Sequence, residues 1–131
     1  GAMSAAHYEL GNLCAVVDCN GLQSDDTTES IMGIYPVADK WRSFGWDVHE
    51  VDGHDITELL GALAAAKRAV AQPSVLLADT VKGKGVSFME GVPEWHGSVK
   101  ISTGEFRRAL EELGAGEDEI RRYVDGRFWD S

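Results

Sequence analysis

The feature that most constrains the fold is the alternation of short apolar runs with segments of helical periodicity. Residues 12–20 (NLCAVVDCN) and 75–78 are apolar at successive positions, which is typical of strands buried on both faces of a parallel sheet. Residues 46–51 alternate polar and apolar side chains, as a strand with one polar face does. The order strand, helix, strand, helix, strand predicts right-handed βαβ crossovers. We therefore predict an α/β fold, a three-layer parallel sheet with flanking helices.

The first two helical segments carry local boundary signals. Apolar residues recur at helical spacing over residues 37–44, and Gly45 follows where a left-handed C-cap is expected. Asp55 stands three residues before Glu58 in a pattern resembling a capping box. The helix that begins there is expected to end at Pro73.

Two more helices are predicted near the carboxyl end. Ser102 with Glu105 forms an S-x-x-E capping box, and Gly114 closes the helix that starts there. Residues 117–124 form a last, acidic helix that ends in a frayed tail. Residues 24–30, rich in Ser, Asp and Thr, are expected to be a loop.

Composition excludes several classes of function. The chain has 12 Lys and Arg against 22 Asp and Glu, a net charge of −10, which argues against a nucleic-acid partner. Its four arginines near the carboxyl end (Arg107, Arg108, Arg121, Arg122) alternate with acidic residues and indicate a solvated mixed-charge helical face. No stretch approaches the roughly 18 apolar residues of a membrane span, and no signal peptide is visible. We expect a soluble, cytoplasmic protein.

The two cysteines give no sign of a structural bridge. Cys14 and Cys19 lie five residues apart in one predicted strand, so their side chains point to opposite faces. We expect reduced thiols.

Polar residues gather where the predicted strands end. Ligands in parallel sheets bind at the carboxyl ends of strands, here residues 18–22, 52–55 and 79–85. The first of these opens the loop DCNGLQSDD, whose oxygens suit Mg²⁺ or Ca²⁺, although Asp and Asn also simply form turns.

Two further segments offer chemistry of their own. Gly83 and Gly85 in VKGKGVSFM free backbone N–H groups that, with Lys82 or Lys84, suit an anion; a flexible turn explains the same pattern. His96, in PEWHG, is placed for proton transfer or an anion contact, and a surface histidine without a role is the alternative.

Three segments in succession resemble one family. GNLCAVVDCNGLQ, KWRSFGWDVHEVDGHD and ADTVKGKGVSFMEGVPEWHG are similar to the amino-terminal, pyrophosphate-binding half of transketolases, found as a separate subunit in split transketolases. The resemblance covers residues 4–113. It implies thiamine diphosphate held through Mg²⁺, with Asn20 giving a side-chain oxygen and Leu22 its backbone carbonyl to the metal. It also implies that His96 contacts the diphosphate and the reacting end of the cofactor, as a catalytic residue.

The chain departs from the family pattern in ways that weaken the expected site. The G-D-G motif that supplies the family's carboxylate ligand is absent, so we expect residues 1–131 to be a single partial domain with a helical tail at 115–131. Residues 1–3 are either the remnant of an expression tag or native sequence. Ser24 and Asp26 replace an apolar residue and a glycine of the family's L-Q-I-D-G run. Cofactor and Mg²⁺ binding are therefore expected to be weak or lost.

The resemblance also implies partners. A pyrimidine-binding half or subunit is needed to complete the site, and the apolar strand at residues 13–17 is expected to associate, in a homo-oligomer or with another chain. The completed enzyme would transfer a two-carbon ketol unit between sugar phosphates. The alternatives are a non-catalytic association module derived from that domain and a related enzyme such as a 1-deoxy-ketose phosphate synthase.

Overall fold

A computed structural model describes residues 1–97 and 99–126. The helices are α1 (Ala2–His7), α2 (Thr28–Met32), α3 (Val37–Ser43), α4 (Ile56–Ala66), α5 (Thr103–Glu112) and α6 (Glu117–Val124), with one 3₁₀ turn at Pro93–His96. The strands are β1 (Cys14–Cys19), β2 (Leu22–Gln23), β3 (Asp26–Thr27), β4 (Asp47–Asp52) and β5 (Ser74–Asp79). Within these ranges no helix has the length and apolar character needed to cross a membrane.

The chain divides into two compact units. The first contains Gly1–Gly21 and Thr27–Thr80, and the second contains Leu22–Asp26 and the residues from Val81 onward. The parallel sheet belongs to the first unit. The 3₁₀ turn, α5 and α6 belong to the second.

The sheet confirms the predicted α/β class. Its strands are parallel in the order β1-β5-β4, with helices flanking them. The pairing register sets Cys19 and Asp52 level with Asp79, so all three strands end together at one edge. This is the edge where parallel sheets place their ligands.

Helices cover both faces of the central strand. On one face Val75 and Leu77 pack with Ala5 of α1 and with Trp46, which also donates from Nε1 to the carbonyl of Ala2 at 3.0 Å. On the other face Leu76 packs against two alanines of α4. β5 is therefore buried on both sides, as its continuous apolar run predicts.

The same prediction is wrong for β1. Its residues alternate between exposed and half-buried, and the side chain of Val16 is 60% exposed. β1 is an edge strand of the sheet. The apolar cluster formed by Ala62 and Ala66 of α4 contains Leu76 of the central strand but not Val16 of β1. The two cysteines are free thiols, with Cys14 exposed and Cys19 half-buried, as expected for opposite faces.

Local signals set most helix boundaries. Gly45 follows α3 in the left-handed region with φ +86°, and α5 starts with the complete Ser102–Glu105 capping box. The start of α4 has only half of the expected capping box. The Asp55 carboxylate accepts from Glu58 N, but the Glu58 carboxylate accepts from Asp52 N at 2.8 Å and not from Asp55 N. That helix also stops at Ala66, seven residues before Pro73, so the expected end is wrong.

The expected loop at residues 24–30 is partly helical. The Thr27 hydroxyl accepts from Ser30 N at 3.2 Å and caps α2, which begins at residue 28. The preceding residues form the turn between β2 and β3. The tail predicted after residue 124 lies, from residue 127 on, outside the described residues.

Candidate functional site

The carboxyl edge of the sheet opens into a cavity of about 750 Å³ within the first unit. Cys19, Asp52 and Asp79 line it at the ends of the three strands. Arg42 lines it too, but its guanidinium is paired with Asp39 at 3.0 Å and Glu50 at 2.6 Å. The carboxylates would repel an anionic ligand, and no unpaired cation among the lining residues would offset that repulsion. The cavity therefore does not suit a diphosphate.

The thiol at this edge is not activated. Burial raises the pKa of Cys19, and the neighbouring Asp79 carboxylate raises it further. Cys19 therefore stays protonated at neutral pH and is a poor nucleophile or metal ligand.

Asn20 follows β1 directly and is held by a polar chain in the same unit. Its Nδ2 donates to Asp18 Oδ2 at 3.1 Å, and the Thr80 hydroxyl donates to the other oxygen of that carboxylate. Oδ1 is the atom of the Asn20 amide suited to a metal, because the NH₂ group is a donor only. The next residue, Gly21, accepts from Thr28 N at 2.8 Å and so joins this segment to α2.

Leu22 and His96 belong to the second unit, where their elements meet. β2, which begins at Leu22, packs against the 3₁₀ turn that ends at His96. The Nδ1 atom of His96 is buried and has no hydrogen-bond partner among the described residues. Buried polar atoms are nearly always paired, so an unpaired ring nitrogen indicates a missing ligand atom or water.

The two glycines of the basic loop are explained by packing and backbone conformation. Gly83 and Gly85 have φ values of +74° and +94°, in the region that favours glycine. A Cβ at Gly83 would also lie 2.7 Å from the carbonyl oxygen of Met89. Lys82 is half-buried and Lys84 is exposed, and their ammonium groups are what this loop offers to an anion.

One set of residues was not predicted from the sequence. Arg108 and Glu112 of α5 contact the glycine-rich loop through Ser87, with heavy-atom distances of 2.5 to 2.8 Å. The side chain of Arg108 is 57% exposed, as the interpretation of a solvated mixed-charge face predicts, but that interpretation did not include the contact with the loop. The i, i+4 spacing of Arg108 and Glu112 gave no indication of the contact with Ser87. Arg107 and Glu111 have the same spacing and form an ordinary ion pair within the helix.

The two residues predicted to bind Mg²⁺ belong to different units, Asn20 to the first and Leu22 to the second. Mg²⁺ prefers six oxygen ligands, and Asn20 and Leu22 offer one side-chain and one backbone oxygen. Residues 1–97 and 99–126 contain no group of three or more His, Cys, Asp or Glu side chains that could hold a metal ion. The remaining ligands would have to come from the cofactor's diphosphate, from water or from another segment.

Comparison with known proteins identifies the fold and the cofactor class. The sequence model described as transketolase, thiamine diphosphate binding domain, matches residues 1–122. The chain belongs to this family. The description of this family gives thiamine diphosphate as the cofactor class of the domain, as the three sequence segments predicted.

Curated relatives include subunits of split enzymes. The chain is 33% identical over 126 residues to an apulose-4-phosphate transketolase subunit of Phocaeicola vulgatus, covering 96% of this chain and 44% of that protein. It is 42% identical over 112 residues to the 6-deoxy-6-sulfo-D-fructose transketolase subunit SqwG of a Clostridium species, covering 86% of this chain and 40% of that protein. The chain thus spans less than half the length of these relatives.

Solved transketolases share the fold. The Campylobacter jejuni enzyme superposes with a TM-score of 0.81 at 24% identity, over 97% of this chain and 20% of that one. The Pichia stipitis enzyme in complex with fructose-6-phosphate gives 0.78 at 26% identity, over 95% of this chain and 19% of that one. Both agree with the predicted parallel sheet and flanking helices.

Proposed function

We propose that this chain is the diphosphate-binding part of a split transketolase that a pyrimidine-binding subunit completes. The complete enzyme would transfer a two-carbon ketol unit from a ketose phosphate to an aldose phosphate. Two relatives are named as subunits of such enzymes, which supports a partner chain. The substrates in their names, a sugar phosphate and a sulfonated sugar, belong to those proteins. The sugar-phosphate class proposed here comes from the family resemblance.

The observation that carries the proposal is the buried, unpaired Nδ1 of His96. A desolvated ring nitrogen without a partner costs about 1–3 kcal/mol, so such an atom is retained where a ligand or water satisfies it. With a hydrogen on Nδ1, His96 would donate to a diphosphate oxygen. This matches the contact that the family resemblance implies for the residue.

The remaining residues have separate tasks. When bound, thiamine diphosphate supplies the nucleophilic carbon that accepts and releases the ketol unit. Asn20 Oδ1 and the Leu22 carbonyl would bind Mg²⁺, as the family resemblance implies, and Lys82 or Lys84 would supply positive charge to the anion. His96 would orient the diphosphate and hold a proton close to the reacting end.

Calorimetric titration with thiamine diphosphate and Mg²⁺ tests this assignment. We expect weak binding to the wild-type chain, and loss of the binding heat in Asn20→Ala and His96→Ala, because each removes a proposed contact. Asn12→Ala is the matched control, since Asn12 is exposed and precedes β1 at the opposite end of the strand.

The titration is repeated in the presence of a pyrimidine-binding transketolase subunit. Tighter binding in the mixture supports the split-enzyme proposal. No binding heat in a folded wild-type chain, with or without that subunit, would instead support the non-catalytic association module.

A further inference from the structure

We infer that Glu112 of α5 is a positioning residue for His96. The inference rests on the proposed role of His96 in cofactor binding and concerns residues of the second unit alone. Glu112 is far from His96 in sequence, but a continuous series of contacts joins them. The first contacts are polar and the later ones are aromatic.

The polar contacts fix the glycine-rich loop to α5. Ser87 donates from its backbone N to Glu112 Oε2 at 2.5 Å and from its hydroxyl to Oε1 at 2.8 Å. Arg108 donates from Nε to the same Oε1 at 2.9 Å and from Nη2 to Ser87 Oγ at 2.8 Å. The three side chains close a ring of charge-assisted hydrogen bonds, which are the stronger kind.

The aromatic contacts lead from this ring to the 3₁₀ turn. The Arg108 guanidinium carbon lies 4.9 Å from the centre of the Phe88 ring, within cation–π range. Phe88 meets Trp95 edge to face, with ring centres 5.6 Å apart and an interplanar angle of 68°. Trp95 directly precedes His96 in the same short turn. The placement of Trp95 therefore sets the backbone from which the imidazole projects.

The carboxylate at position 112 is needed in its charged form. Oε1 accepts from two donors and Oε2 accepts from a third. A glutamine has one acceptor oxygen, and its NH₂ group would face either the Ser87 backbone N–H or the other two donors. Glu112→Gln keeps the size of the side chain but cannot keep all three bonds.

The chain supplies a matched control on the preceding residue. Glu111 accepts from Arg107 Nε at 2.9 Å in an i, i+4 pair like that of Glu112 with Arg108. Its side chain is about half exposed, and its partner Arg107 also donates to Glu117 of α6 at 2.5 Å, whereas Arg108 donates to Ser87 of the loop. Glu111→Gln therefore makes the same chemical change on the same helix without touching Ser87.

The test uses the ¹⁵N-labelled full chain and two readouts. In Glu112→Gln we expect the ring nitrogen resonances of His96 and the indole N–H resonance of Trp95 to shift, and the Kd for thiamine diphosphate with Mg²⁺ to rise about tenfold, as losses of orienting contacts do. In Glu111→Gln both are expected to stay at their wild-type values. Thermal melting of each variant checks that it is folded.

The outcomes separate this inference from the proposed function. If the wild-type chain binds no thiamine diphosphate either alone or with the pyrimidine-binding subunit, the proposed function fails, and the resonances of His96 still report whether Glu112 positions it. Resonances of His96 that are identical in Glu112→Gln and Glu111→Gln would overturn the inference, whatever the melting temperatures. If Glu112→Gln does not fold, Ser87→Ala removes one bond of the ring and must shift the same resonances.

Discussion

At the scale of single residues, a buried polar atom without a hydrogen-bond partner has different consequences at two positions. Among the described residues, two buried side-chain atoms lack hydrogen-bond partners, Ser74 Oγ and His96 Nδ1. Ser74 is 1% exposed and lies within the central strand, where a ligand has no access. His96 is half-buried at the end of a short turn. The first atom costs stability, and the second is placed where a ligand can satisfy it.

Ser74→Ala is therefore expected to stabilise the fold. Removing a buried hydroxyl that has no partner raises the free energy of unfolding by about 1 kcal/mol, because the desolvation cost disappears while the cavity left is small. Urea denaturation followed by Trp fluorescence measures the change. Thr80→Val is the control of opposite sign, since the Thr80 hydroxyl donates to Asp18. A destabilised Ser74→Ala would show that the hydroxyl has a bound water as its partner.

The two substitutions noted in the family's L-Q-I-D-G run differ in their structural effect. Ser24 has φ +53°, in the left-handed region that disfavours a side chain with a Cβ. Asp26 lies in β3, without a positive φ, so the backbone there does not require glycine. The sequence identified both positions but could not show which one is strained, because that depends on where the turn between β2 and β3 begins.

At the scale of helices and strands, the accuracy of prediction follows the presence of local signals. The Ser102–Glu105 box and Gly114 gave α5 nearly to the residue, and the observed α6 is the predicted segment, Glu117–Val124. The end of α4 was misplaced because the apolar pattern continues to Val70, whose side chain is 85% exposed. α2 was missed because its five residues are too few for a periodic pattern.

The capping box of α5 makes stability depend on pH. Hydrogen bonds from the Ser102 side chain and backbone lower the pKa of Glu105 below its usual value. Because this pKa is lowered in the folded state, ionised Glu105 stabilises the fold fully above the ordinary glutamate pKa of about 4.3. The stabilisation is lost as the pH falls through the lower pKa of the folded state. Glu105→Gln should therefore destabilise the protein at pH 7 and much less at pH 3.

Denaturant unfolding of both proteins at several pH values between 7 and 3 checks this. Glu111→Gln, on the same helix but outside the box, is the control for general charge effects. A difference between wild type and Glu105→Gln that stays constant over the whole range would contradict the assignment of the stabilisation to the ionised carboxylate.

At the scale of the whole molecule, the sequence did not predict the two compact units that carry the candidate site residues. Asn20 directly follows β1, as the end of the first predicted strand implied, but neither β2 at Leu22 nor the 3₁₀ turn at His96 was predicted. The structure assigns Asn20 to the first compact unit, and Leu22 and His96 to the second. Such a division depends on contacts between distant residues, which periodicity and capping signals do not encode.

The edge strand gives the last prediction. The outer side of β1 pairs with no other strand in the described part of the chain, and Val16 exposes an apolar side chain on it. Unprotected edges of this kind pair with other chains, so we expect the isolated protein to associate as its concentration rises. Val16→Lys should shift it toward monomer in sedimentation velocity, because a charge on an edge strand opposes pairing.

A change in association could also come from the change in net charge. The chain carries −10, and a lysine added at any position changes this net charge by the same amount. Val70→Lys makes the same change at an exposed residue of the turn before β5. If the edge is responsible, Val70→Lys leaves the association unchanged while Val16→Lys reduces it. Equal effects of the two variants would assign the association to charge, and a wild-type monomer at all concentrations would show that the edge of β1 is protected.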